Sequence, residues 1–417
     1  MKDSLRICLS SYACEPNAGS EPGVGWAWAL GMAKRHNTWV ITRKNNRAKI
    51  ESELQRRGIP QNERPAFIWV DLPEWVLFLK RHALIPIGLY YLLWQFKARN
   101  VWDKKGIKVD ILQHVTFNSF VLPGVWRNRE EATILGPLGG FSVCPTQYLR
   151  GYPLIARTKE WFRGKVRHSK ILRYPFLAAR RHADLIAFTT EEMREALGGN
   201  AKSVTELETA VPKALENSTY AGIDARQRDR QFVWAGTLAG HKGGEIAIRA
   251  FATAFGHVED PPKLLMYGAG PDLKRLKRLS AETGIEKAVR FCGHVSQEYL
   301  WNAISRSLAL FFTSVRDTSG NVALEAMALG TPVICFRHQG VAQIVDESCA
   351  ILVEPSSWDD SITNFASALQ KVMSNPSTAL KLGQNGRKRA LEKFTWDRKF
   401  DVVDSWYREL SANKDSN

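Results

Sequence analysis

The chain is short of acid. Its 417 residues carry 58 Lys and Arg against 42 Asp and Glu, a formal net charge of +16. Such an excess points to anionic partners: a phosphate-bearing ligand, a membrane surface or nucleic acid. No zinc-finger, helix-turn-helix or RNA-recognition pattern accompanies the charge, so nucleic acid is not expected as a partner. Cysteine is sparse and scattered (8, 14, 144, 292, 335 and 349) with no Cys-x-x-Cys pair, which excludes a zinc ribbon and a disulfide framework. Long apolar runs are also missing. The uncharged stretch His82–Gln95 is too short to span a bilayer and is interrupted by Pro86 and Gly88. Met-Lys-Asp-Ser-Leu-Arg leads straight into a short strand pattern, without the apolar region of a signal peptide, so a reduced cytoplasmic location is expected. No internal repeat or low-complexity tract occurs. No Asp-x-Asp-like cluster sits at a strand end, so neither a metal site nor metal dependence is expected.

What is present reads as globular. Hydrophobic content is 44% and charged content 24%, and the length favours two domains of about 200 residues each. Short β-rich runs alternate with helical patterns throughout, the signature of parallel sheets covered by helices. In the first half the runs are 6–10, 39–42, 67–70, 110–114, 133–135 and 185–188; in the second they are 232–235, 263–267, 289–291, 308–312, 333–335 and 350–353. A polar stretch at 211–230 reads as the linker, between a first domain at 1–210 and a second at 231–397.

The strongest chemical signal lies at 306–355. The strand Leu308–Phe312 feeds a Ser/Asp/Thr/Gly loop, and a short helix, Val322–Leu329, follows and is stopped by Gly330 and Pro332. A loop that opens a helix after a strand directs free N–H groups and the positive end of a dipole at one spot, which suits phosphate. Asp317 and Glu325, eight residues apart, flank that spot and can accept hydrogen bonds from sugar hydroxyls. Phosphate together with hydroxyls indicates a nucleotide-sugar.

Further glycine-rich strand exits fit the same chemistry. Pro16-Asn-Ala-Gly19-Ser-Glu21-Pro-Gly23-Val-Gly25 follows the first strand and precedes a helix predicted over 26–35. Gly236-Thr237-Leu-Ala-Gly-His241-Lys242-Gly243 follows the strand at 232–235. Tyr267-Gly268-Ala-Gly270 and Phe291-Cys-Gly293-His294-Val295 close two more strands, and Gln113-His114 ends another.

Together, the acid spacing, the Gly320-Asn321-Val322 turn, Ala-Met-Ala-Leu-Gly330-Thr-Pro332 and Gly340-Val-Ala-Gln-Ile-Val resemble the signature of retaining glycosyltransferases of family 4. The resemblance spans essentially the whole chain and is most specific over 231–355. It implies the GT-B fold: two Rossmann-like β/α/β domains facing a central cleft, with ligands at the carboxyl ends of the strands. A closing helix from about residue 398 would return to the first domain. Glu325 would bind the donor ribose, and Asp317, where most of the family has Glu, would sit near the transferred sugar. Lys242 would stabilise the departing diphosphate. The family usually has a second cation where this chain has Thr237, and a protonated His241 would replace part of that charge. Gly268, Gly270, Gly293, His294 and Val295 would line the nucleotide pocket. Gly19, Glu21, Gly23 and Gly25 would approach the diphosphate and leaving sugar, and His114 would position a sugar hydroxyl.

The resulting expectation is a sugar transfer from an NDP-sugar to a glycan or lipid-linked acceptor, with no cofactor, in cell-surface or exopolysaccharide assembly. Residues 150–181 hold ten Lys/Arg against one acid, and 75–99 mixes aromatic and apolar residues with flanking cations. Both suit peripheral attachment to an anionic inner membrane face. The alternatives are a nucleotide-sugar 2-epimerase of the same fold and a noncatalytic basic scaffold or nucleic-acid-binding protein on a degenerate transferase fold.

Overall fold

The computed structural model describes residues 4–415 apart from 118, 127–129, 153, 170–172, 199–201 and 218–227. Two compact α/β units emerge. The first comprises residues 1–141, 166–209 and 396–417, and the second comprises 142–165 and 210–395.

In the first unit seven strands run β1 (Arg6–Ser11), β2 (Asn37–Arg43), β3 (Ala66–Val70), β4 (Ile111–Thr116), β5 (Ala132–Leu138), β6 (Leu185–Phe188) and β7 (Ser203–Thr205). All pair in parallel, in the order β3-β2-β1-β4-β5-β6-β7. In the second unit β8 (Asp229–Ala235), β9 (Lys263–Tyr267), β10 (Val289–Gly293), β11 (Ser307–Phe312), β12 (Val333–Phe336) and β13 (Ala350–Val353) form a parallel sheet, ordered β10-β9-β8-β11-β12-β13. Helices cover both faces, which is why central strands such as Leu308-Ala-Leu-Phe-Phe312 and Val333-Ile-Cys-Phe336 are apolar runs rather than alternations. All twelve strands expected from the sequence are found. Only β7 was not foreseen: three half-buried residues, Ser-Val-Thr, at a sheet edge give no apolar run to read.

Two departures matter for function. Residues 142–165 were expected in the first domain but group with the second unit, where buried Cys144, Tyr148 and Tyr152 join its core. Tyr148 packs 5.1 Å from Phe336 and its hydroxyl lies 2.8 Å from that of Ser361. The first helix runs Ser20–Ala33, six residues earlier than the glycine-rich sequence suggested. Gly23 and Gly25 therefore lie inside it. A Cβ on Gly25 would come within 2.0 Å of the Ala13 carbonyl oxygen, so this glycine serves close helix packing. Half of the linker expected at 211–230, residues 218–227, falls outside the described residues. No helix among the described residues is long and apolar enough to cross a membrane.

The last helix, Trp396–Asp415, belongs to the first unit. Buried Phe400 packs edge-on to Trp28 at 5.8 Å and stacks on Trp396 at 5.4 Å. Gly31 leaves room for that ring, since a Cβ there would meet it at 1.9 Å. Phe400→Ala should destabilise the first unit by about 3–5 kcal/mol. Urea unfolding followed by fluorescence should show one lowered transition, and an unchanged midpoint would mean that this helix is not integral to the core.

Candidate functional site

In the second unit the strand order reverses between β8 and β11, where open parallel sheets form a ligand crevice. Residues following these two strands meet there. Lys242 ends the turn after β8, and its ammonium is ion-paired with the carboxylate of Asp317, in the loop after β11. Two interlocks hold the loops in register. Gly243 has φ +70°, and its position lets the Thr313 carbonyl approach so closely that a Cβ would lie 1.9 Å from it. The Thr313 hydroxyl donates to the Gly243 carbonyl at 2.8 Å and accepts from the Trp234 indole at 3.0 Å.

Asp317 is fully engaged. One carboxylate oxygen meets Lys242 and the Ser314 hydroxyl (3.2 Å); the other accepts the N–H groups of Ser319 (3.3 Å) and Gly320 (3.0 Å). Its own N–H donates to the Gln339 side chain at 2.9 Å. Burial would raise its pKa, but Lys242 and these donors outweigh burial and hold it below the usual range. The loop thereby delivers Gly320, with φ +60°, as the N-cap of the helix Asn321–Ala328. Asn321 and Val322 open that helix, so their N–H groups lie at the positive end of its dipole. The Asn321 side-chain oxygen is buried there with no hydrogen-bond partner.

Glu325 lies one turn further along the same helix, half-buried. The buried Trp301 indole donates to it at 2.9 Å and Gln297 at 3.2 Å, both from the helix Gln297–Ser305. Burial raises its pKa and these two donors oppose the rise. Trp301 and Gln297 were missed in the sequence because an indole that orients a carboxylate looks like any core tryptophan.

The glycine exits of β8, β9 and β10 interlock. The Gly236 N–H donates to the Tyr267 carbonyl at 3.0 Å, and the Gly268 N–H to the Gly293 carbonyl at 2.8 Å. A Cβ on Gly268 (φ +126°) would meet the Gly236 oxygen at 2.0 Å, and one on Gly270 the Leu238 oxygen at 2.3 Å. These two glycines thus lock β8 to β9. Beyond Gly293 the space is open, with His294 exposed and Val295 half-buried.

The lost cation is not replaced by His241. Burial, then Arg316 and Lys242, push the His241 pKa down to about 4 against the pull of Asp317. It is uncharged at neutral pH. Thr237 is exposed and also brings no charge. Arg316 does. Its guanidinium lies 3.2 Å from buried Glu160, which also faces Arg163 at 3.6 Å and accepts the Cys144 N–H at 3.3 Å. The Nε atoms of both arginines are buried without a hydrogen bond. Lys242, Arg316 and Arg163 thus outnumber Asp317 and Glu160 in this cluster.

The first unit has its own reversal, between β1 and β4. Gly19 caps the helix Ser20–Ala33 with open space around it. Glu21 accepts the N–H of Phe117, a residue with φ +60° after β4, and so ties the two strand exits together. Burial, then Glu208, raise the Glu21 pKa to about 7 despite that hydrogen bond. His114 is a core residue here. It is fully buried, its Nε2 lies 2.6 Å from the Tyr91 hydroxyl and its Nδ1 3.1 Å from that of Ser10. Burial pushes its pKa down to about 3, so it is neutral and is not presented to a ligand in this structure. The basic stretch 150–181 is partly spent on internal contacts: Arg167 pairs with Glu192 at 2.6 Å and stacks over Phe141 at 4.1 Å. Among the described residues no group of three or more His, Cys, Asp or Glu is placed to hold a metal ion.

Residues 221–389 match the family described as glycosyl transferases group 1. A D-inositol 3-phosphate glycosyltransferase of Corynebacterium jeikeium is 27% identical over 247 residues, covering 54% of this chain and 57% of that one. The chain spans about half the length of the curated relatives it matches. Among solved structures, sucrose-phosphate synthase from Thermosynechococcus elongatus superposes with a TM-score of 0.66 at 20% identity, covering 98% of this chain and 99% of that one. Anabaena HepE in complex with UDP gives 0.60 at 14%, covering 96% and 100%. At these identities the likeness shows the fold, which is GT-B.

The raised pKa of Glu21 has a testable sign. The unfolded chain releases this proton near pH 4.3, the folded chain only near 7. Folded-state stability is therefore lost as pH rises through that window and the loss is complete above it. Glu21→Gln keeps the acceptor for Phe117 and cannot ionise. Its stability relative to wild type should rise by about 1–3 kcal/mol between pH 5 and pH 8 in urea titrations; a pH-independent difference would refute the buried environment assigned to Glu21.

Proposed function

We propose that this chain, whose residues 221–389 match the family described as glycosyl transferases group 1, is a retaining NDP-sugar-dependent glycosyltransferase. The observation that carries the proposal is the β8–β11 crevice: a lysine, a helix N-terminus and an oriented Glu325 within one rigid loop system. The donor diphosphate sits against Lys242 and the N–H groups of Asn321 and Val322. Glu325 accepts the ribose hydroxyls, and the base lies beyond Gly293, beside His294 and Val295. As the glycosidic bond breaks, negative charge grows on the departing phosphate oxygen, and a preplaced ammonium stabilises that state most. Arg316 supplies the second positive charge that Thr237 does not. The leaving phosphate accepts the proton of the incoming hydroxyl on the same face of the sugar, so retention needs neither a protein nucleophile nor a metal. Asp317 acts by holding Lys242 and the loop.

The acceptor in this reading is a glycan or lipid-linked sugar used in cell-surface or exopolysaccharide assembly, met at the inner membrane face. The exposed apolar side chains Trp75, Phe78, Leu89, Leu93 and Phe96 support attachment there. The names of two relatives, a D-inositol 3-phosphate glycosyltransferase and an MMP alpha-(1->4)-mannosyltransferase, support sugar transfer as the reaction class.

Glu325→Ala should weaken donor binding by one to two orders of magnitude, since two hydroxyl contacts to a half-buried carboxylate contribute about 1.5–3 kcal/mol. Calorimetric titration of the donor checks this, and unchanged affinity removes Glu325 from the ribose. Lys242→Ala should lower kcat far more than it raises KM, in assays indifferent to EDTA. A pure KM effect would mean that the lysine binds donor and transition state alike.

A further inference from the structure

A second cavity, of about 480 Å³, opens in the first unit at the carboxyl ends of β2 and β3. Its walls carry Arg43, Lys44, Lys80 and Arg81 together with Asp71 and Glu74. Among the described residues none of the four cations is ion-paired. Arg43 lies over the Tyr12 ring at 4.5 Å and donates to the Tyr12 carbonyl, and Lys80 lies over the Tyr90 ring at 4.3 Å. These contacts aim both cations without neutralising them. Asp71 is occupied by the Tyr90 hydroxyl at 3.1 Å, which leaves the cavity with positive charge to spare. Burial, then Arg43, lower the Lys80 pKa while Asp71 opposes, as expected where like charges crowd.

The rim of this cavity is apolar. Lys80 and Arg81 end the helix Glu74–Arg81, which exposes Trp75 (67%) and Phe78 (55%). The next helix, Ile87–Lys105, buries Tyr90, Tyr91, Trp94 and Gln95 and turns Leu89, Leu93 and Phe96 outward. Positions i, i+4 and i+7 on the solvent side would be polar in an ordinary surface helix. Leu84 (64%) joins the two helices within the same face. An unpaired cationic cavity bordered by exposed apolar side chains has the complementarity of a lipid with an anionic head.

We propose that this cavity binds the phosphate of a lipid-borne acceptor while the Trp75–Phe96 face lies in the lipid surface. This rests on the transferase reading for the word acceptor and extends it by naming the recognised group. A phosphate is named rather than a carboxylate because it offers three or more oxygens to the several cations that line one cavity.

The test uses the full chain and no donor. Binding is compared for phosphatidylcholine vesicles bearing phosphatidic acid, the same vesicles bearing oleate at matched surface charge, and inorganic phosphate in solution. The wild type should prefer the phosphatidic acid vesicles over the oleate ones by about tenfold. Arg43→Gln with Lys80→Gln should erase that preference but keep the weaker oleate binding. Lys44→Gln with Arg81→Gln, two exposed changes that leave the fold intact, should reduce it as well. Trp75→Ser with Phe78→Ser should lose binding to both vesicles. A preference that survives both charge-removing pairs overturns the phosphate site. Saturable binding of inorganic phosphate without vesicle binding overturns the lipid source. Because no nucleotide is present, vesicle binding with a donor site that binds nothing would uphold this site and remove the transferase reading; the reverse result would do the opposite.

Discussion

The ion pair between Lys242 and Asp317 fixes the arrangement on which everything in the second unit depends. It joins the exits of β8 and β11 where the strand order reverses. It leaves the other carboxylate oxygen to close the turn into the helix Asn321–Ala328. Asp is the residue whose side chain reaches its own following N–H groups. A carboxylate one methylene longer would project past them. Asp317, at a position where the resembled family usually carries Glu, thus supports the loop in this structure.

A second consequence concerns where positive charge is kept. With His241 held neutral by its cationic neighbours and Thr237 uncharged, the surplus falls on Lys242, Arg316 and Arg163, balanced in part by buried Glu160. Glu160 and Arg163 come from the excursion 142–165, which groups with the second unit. Residues far apart in sequence thus converge on one loop system, and the excursion also braces it through Gln339, whose amide donates to the Val143 carbonyl while its oxygen accepts the Asp317 N–H.

Much of the fold was legible because parallel strands buried on both faces declare themselves as apolar runs, as Leu308–Phe312 and Lys263–Tyr267 do. The acid spacing, Lys242 and the Gly320 turn could be read because local backbone needs fix those residue types. Tertiary contacts could not be read. Gly25 looked like a phosphate-loop glycine and is a packing glycine under the Ala13 carbonyl. His114, at a strand end, looked presented to ligand and is enclosed by Tyr91 and Ser10. Trp301, Gln297 and Arg316 gave no signal, since what each does is set by a partner on another element.

The central claim is that the β8–β11 crevice binds a nucleotide diphosphate. Its most direct test is the thermal shift of the full chain with UDP-, GDP- and ADP-sugars and their free diphosphates, with and without EDTA. The account predicts stabilisation by one nucleotide class, unchanged by EDTA. No shift with any of them at millimolar concentration would contradict it and leave a basic scaffold on a transferase fold.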